Sequence, residues 1–122
     1  MAKLVTYLVP TVHSKGELRG NLAGYDTRTG RVMWAEIGGK RHKLVLQYAP
    51  GDEKREAAEA LVHYATGARI CDLNARRIEY LVGTGSVFAD RTLARLAIEE
   101  IVLRVGAARV LQQFESVKVI NP

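Results

Sequence analysis

The chain of 122 residues contains a single cysteine, Cys71. An internal disulfide framework is therefore excluded, and the fold must rest on packing and hydrogen bonding. A lone cysteine usually behaves as a small buried hydrophobe, whereas a reactive thiol needs an exposed, electropositive setting. Arg69 would share a strand face with Cys71, so the sequence is compatible with either role, the buried hydrophobe being the commoner. No stretch approaches the roughly 18 apolar residues that a membrane-spanning helix requires. The opening run Leu4-Val5-Thr6-Tyr7-Leu8-Val9 is too brief for a signal-peptide core and alternates like a strand. A cytoplasmic protein with no membrane partner is the expectation.

Prolines number three, and there is no low-complexity segment, internal repeat or linker-like stretch. One compact domain over residues 1–122 is expected. The length excludes a doubly wound dinucleotide fold with a substrate domain, a barrel enzyme and a complete propeller. There is no nucleophile motif, no diagnostic carboxylate pair and no cofactor box, so no cofactor is expected. His13, His42 and His63 lie in three different elements, and none forms a metal pair or joins a cysteine at ligand spacing. Acid–base pairs such as His13 with Asp26, or His63 with Asp72, would require the fold to bring them together.

What the chain does have is a composition with 48% apolar and 25% charged residues, and a net charge of +5. The charge is unevenly placed. Residues 1–50 hold eight Lys or Arg against three Asp or Glu, whereas residues 51–122 hold ten of each. The whole excess lies in the first half, which points to an anionic partner for that half.

The hydropathy pattern divides the chain at the same place. Residues 3–12 read as a strand, 13–16 as a turn and 17–25 as a second strand loosened by Gly20 and Gly24. Asp26-Thr27-Arg28-Thr29-Gly30 reads as a turn, with Asp26 bonding forward and Gly30 free to take positive φ. Arg31 to Ile37 alternates, Gly38-Gly39 makes a hairpin turn, and Leu44 to Tyr48 continues as a strand. After Pro50 the period changes. Asp52 suits a helix N-cap, Glu53 and Glu56 suit its first turn, and Ala57, Ala60, Leu61, Tyr64 and Ala65 recur at helical spacing up to Gly67. Residues 69–73 and 77–82 read as a β-hairpin around Asn74-Ala75-Arg76. A long helix is expected from 87 or 90 to 114, broken or bent near Gly106, and a final strand over 116–120. The fold class is α+β: an N-terminal antiparallel meander of about four strands, then helix, β-hairpin, long C-terminal helix and a last strand. The helix over 87–114 is apolar on several sides, which suggests a homodimer contact.

Residues 23–34 resemble one repeat of quinoprotein-type propellers in the spacing of Asp26, Thr29-Gly30 and Trp34. The likeness covers 12 residues, and a propeller needs many blades. It is read as convergent hairpin chemistry, and nothing is carried over from that family.

Two segments carry candidate sites. Lys40, Arg41, His42 and Lys43 follow the Gly38-Gly39 turn, with Trp34 and Tyr48 in the flanking strands. Cations neutralise phosphates and aromatics stack on unpaired bases. Lys15, Arg19, Arg28 and Arg31 would extend that patch, while Trp34 by type belongs to the core. Gly83, Thr84, Gly85 and Ser86 fall between an expected strand and an expected helix, an arrangement that can bind anions. The favoured reading is a small, basic, non-enzymatic module that binds nucleic acid through the N-terminal sheet and the Lys40–Lys43 turn. The alternative is a protein-interaction module, an inhibitor or accessory subunit, whose basic face meets an acidic protein surface. A third is a small enzyme acting on an anionic substrate at Gly83–Ser86, with Arg76, Arg77 or a histidine in support.

Overall fold

The computed structural model describes residues 3–10 and 24–122. Five strands come first: β1 (Leu4–Pro10), β2 (Tyr25–Ile37), β3 (Lys40–Gln47), β4 (Ala60–His63) and β5 (Arg69–Asp72). Three helices follow: α1 (Leu73–Thr84), α2 (Asp90–Val105) and α3 (Ala107–Ser116). The strands form one sheet in chain order, every neighbouring pair antiparallel. The protein is thus α+β, with a five-stranded meander. Gly38 and Gly39, at φ 60° and 78°, form the two-residue turn between β2 and β3. Two consecutive positive φ values match the twist of the strands they join.

The sheet curls until β1 approaches the turn between β4 and β5. A Cβ on Gly67 would lie 2.6 Å from the Leu8 carbonyl oxygen, so only glycine fits that approach. Tyr7 and Tyr64 face each other across the curl at 6.1 Å. The helices cover one face, where Met33, Ala35, Ile37, Leu44, Leu46 and Leu61 pack against Leu73, Leu93, Ala94, Ile98 and Val110. The other face holds a smaller cluster of Tyr7, Val45, Ala60 and Val62, flanked by Val5, Val9 and Tyr64.

Four of the expected elements are different in the structure. Residues 60–65 do not continue a helix: Ala60 to His63 is a strand buried on both faces. A continuous apolar run fits a central strand as well as a helix, and pairing with β3 and β5 decides it. Asp52 does accept from the Arg55 backbone N–H at 3.1 Å, but Arg55 then takes φ 53° and no helix propagates.

Residues 26–30 are not a turn either. They lie inside β2 and pair with β1, from Asp26 opposite Val9 to Gly30 opposite Val5. Gly30 serves packing rather than positive φ, because a Cβ there would collide with Val45 Cγ1 and the Leu46 carbonyl oxygen. The propeller-like run therefore traces a strand, not a hairpin.

The expected hairpin over 69–82 is a strand followed by α1. The Asp72 side chain accepts from the backbone N–H groups of Asn74 and Ala75, and Gly85 closes the helix in the left-handed region at φ 72°. Ile78 and Val82 alternate like strand residues but face solvent. Finally, residues 117–122 form no strand. The backbone N–H groups of Ile120 and Asn121 both donate to the Ala65 carbonyl.

The break near Gly106 is where the sequence placed it, with φ 87° separating α2 from α3. Leu93, Ala94, Ala97 and Ile98 of α2 are buried, while Leu103 on the same helix is 88% exposed. The expected strand over 17–25 lies outside the described residues, apart from Gly24 and Tyr25, the latter opening β2.

Candidate nucleic-acid interface

Strand alternation sorts the basic residues of the first half onto two faces. In β2, Met33, Ala35 and Ile37 point to the helices, so Val32, Trp34 and Glu36 point away. In β3, Leu44 and Leu46 point to the helices, so Arg41, Lys43, Val45 and Gln47 point away. The register sets Trp34 opposite Lys43. The Arg41 guanidinium lies 4.5 Å from the Trp34 ring centroid, and the Lys43 ammonium 3.9 Å from that of Tyr64. Both are cation–π distances.

Trp34 is 45% exposed, which corrects its assignment to the core. Its indole lies on the helix-free face among long basic side chains. Lys3, Val32, Trp34 and Lys43 line a shallow depression of about 320 Å³. Arg28 lies on the same face of β2, and Asp26 pairs with it at 2.9 Å. That hydrogen-bonded guanidinium holds the Asp26 carboxyl below its usual range. From Arg28 to Trp34 the face runs about 20 Å at the rise of an extended strand.

Beneath this surface a polar chain fixes the floor. Tyr7 donates its hydroxyl to Gln47 Oε1, and Gln47 Nε2 donates to Glu59 Oε1 at 3.1 Å. Arg69 stands 3.6 Å from the same carboxylate. Burial pushes the Tyr7 hydroxyl well above its ordinary pKa, so it remains a donor across the working range of pH.

The remaining candidates face elsewhere. Lys40 points to the helices and stands 3.8 Å from Glu115. His42 packs 5.3 Å from the Phe114 ring and 5.8 Å from His63. Burial, then Lys40, lowers its pKa, and its Nε2 has no hydrogen-bond partner among the described residues. His63 stacks on Phe114 at 3.9 Å and meets Thr66 Oγ1 through Nδ1 at 2.9 Å. Burial pushes its pKa down to about 4, with a smaller contribution from His42. Tyr48 is buried, and its hydroxyl accepts from Arg31 Nε at 3.0 Å. It is part of the core and offers no stacking surface, contrary to the sequence expectation. His13, Lys15 and Arg19 lie outside the described residues.

The glycine loop differs from its expected setting. Gly83 and Thr84 are the last residues of α1, so this is a helix carboxyl end, where the dipole disfavours anions. The Gly85 N–H donates to the Leu81 carbonyl and the Ser86 N–H to Thr84 Oγ1. Nor are the supporting groups free: Arg76 pairs with Glu100 at 2.6 Å and Arg77 with Asp90 at 2.7 Å. His63 and Asp72 are not partners, since Asp72 caps α1. Burial raises the Cys71 thiol pKa against the opposing pull of Arg76, the reverse of an activated thiolate.

Among the described residues no group of three or more His, Cys, Asp or Glu could hold a metal ion. No helix among them is long and apolar enough to cross a membrane. The chain matches no family model, no curated protein and no solved structure. Lys3 and Tyr64 join the site without having been singled out in the sequence. Lys3 shares a face with Tyr7 by simple alternation, which the sequence contains. Tyr64 comes there through the sheet's curl, for which no local signal exists.

Proposed function

We propose that the helix-free sheet face binds nucleic acid, with unpaired bases against Trp34 and the phosphate backbone along Lys3, Arg41 and Lys43. The observation that carries this reading is the half-exposed Trp34 with Arg41 stacked over it. A large exposed aromatic among cations is costly to leave in water and is the usual platform for a base. Arg41 and Lys43 lie over rings rather than in carboxylate pairs among the described residues. Their charge is therefore available to a phosphate.

Trp34 is the chain's one tryptophan, so its fluorescence reports the site directly. Titration with a single-stranded oligonucleotide at low salt should quench it saturably. Three neutralised phosphates correspond to a log–log salt slope of about −2 for a single strand. The R41E/K43E variant should lose binding while keeping its circular dichroism. Absence of quenching at low salt would refute the reading and leave this face for an acidic protein surface.

A further inference from the structure

A cavity of about 480 Å³ lies away from the helix-free face, between β5, α2 and α3. Its floor is apolar: Ile70 from β5, Ile101 from α2, and Val110 and Phe114 from α3. Phe114 is held by its parallel stack on His63, at an interplanar angle of 5°, so that wall is preformed. Val105 and Val117 form an exposed apolar lip. The volume falls within the range of small-molecule sites, which are mostly apolar with a few oriented polar groups.

The polar groups here share one sign. Arg69, Arg104 and Arg109 line the cavity, and no Asp or Glu does. Arg69 and Arg104 are more than half exposed, and their carboxylate partners stand off at 3.6 and 3.9 Å. Exposed pairs at such separations hold a guanidinium weakly. Glu100, the partner of Arg104, is held closer by Arg76 at 2.6 Å. Arg109 has no carboxylate within 4.0 Å among the described residues. An apolar pocket ringed by three under-used guanidiniums fits one class of ligand. Its body would cover the valines and the Phe114 ring, and its carboxylate, sulfonate or phosphate would meet the arginines.

We propose that this cavity is a binding site for a small organic anion with an apolar body. Its test is independent of the nucleic-acid reading, because Arg104 and Arg109 stand on α2 and α3 and take no part in the helix-free face. The probe is anilinonaphthalene sulfonate, an aromatic anion that fluoresces in apolar surroundings, titrated against the full chain. Saturable enhancement with one dye per chain is expected. The R104S/R109S variant, changed only at exposed positions, should bind at least about tenfold more weakly, as the loss of charge-assisted bonds implies. Neutral phenylnaphthylamine should also bind at least about tenfold more weakly for the same reason. Inorganic phosphate at matched ionic strength should not displace the dye. Equal affinity in R104S/R109S, equal affinity of the neutral analogue, or displacement by phosphate overturns the proposal. So does a signal that disappears in I78S/V82S, which would assign the dye to the exposed apolar residues of α1 instead.

Discussion

Replacing Asn121 by alanine should loosen the grip between the last residues and the sheet. Asn121 is 7% exposed and uses its whole carboxamide. Its Oδ1 accepts from the Leu8 backbone N–H at 2.9 Å. Its Nδ2 donates to the carbonyls of Leu8 at 2.9 Å and Tyr64 at 2.8 Å. The side chain thus meets Leu8 as a neighbouring strand's peptide would, and ties β1 to the turn after β4. Three hydrogen bonds at about 1 kcal/mol net each give about 3 kcal/mol. The stranded backbone groups are only part-buried, and water restores some of that, leaving a loss of about 2–3 kcal/mol. For a chain of this size the thermal midpoint should fall by roughly 6–15 °C. Urea and thermal unfolding of N121A and wild type measure it. N121D keeps the acceptor, loses the donor and sets a carboxylate against two carbonyls. It should be at least as unstable as N121A at neutral pH and recover as acid protonates it. A loss below about 0.5 kcal/mol in N121A, the range of ordinary surface changes, would refute the reasoning.

Three more perturbations follow from the packing. G30A should cost about 1–3 kcal/mol by overpacking against Val45 and the β3 backbone, read as a lowered urea midpoint with unchanged m-value. D90A removes the acceptor of both Arg77 and the Ala58 backbone N–H, joining α1, α2 and the segment before β4. It should cost about 2–3 kcal/mol in the same assay. His63 is neutral in the fold down to about pH 4, whereas its unfolded value is near 6.5. Between those limits the unfolded chain binds more protons, so stability falls as pH falls through that window and levels off below it. The loss is about 3 kcal/mol across the window, with His42 adding in the same direction. Unfolding free energy measured against pH should show that slope, and H63Q should flatten it.

The local turn chemistry was legible in the sequence. Gly38-Gly39 identified its hairpin and Gly106 the helix break, because both need backbone conformations that glycine alone adopts freely. Alternation over Arg31–Ile37 was equally readable, although which side faced water was not. Trp34 looked apolar enough for the core, and only the placement of the helices on the opposite face exposes it. Ala60 to His63 could not be told from a helix, since central-strand burial on both faces erases the period of two. Arg77 to Val82 misled in the opposite way. Its alternating Ile78 and Val82 are solvent residues, and the better signal was the pair of caps, Asp72 and Gly85, on either side. Of the candidate site, the Arg41 and Lys43 side of β3 followed from alternation with Leu44 and Leu46. Their aromatic partners depended on register and curl, which only tertiary structure supplies.

The Asn121 clasp also orders events during synthesis on the ribosome. Each strand pairs with the one before it, so the meander can assemble as it emerges, with contacts of modest sequence separation. The Leu8–Asn121 bonds span 113 positions and must wait for residue 121 to leave the exit tunnel. Until then the outer edge of β1 at Leu8 has unanswered backbone groups, open to pairing with another chain. The same asparagine that fastens the finished sheet therefore ends a period in which a nascent chain is vulnerable to its neighbours.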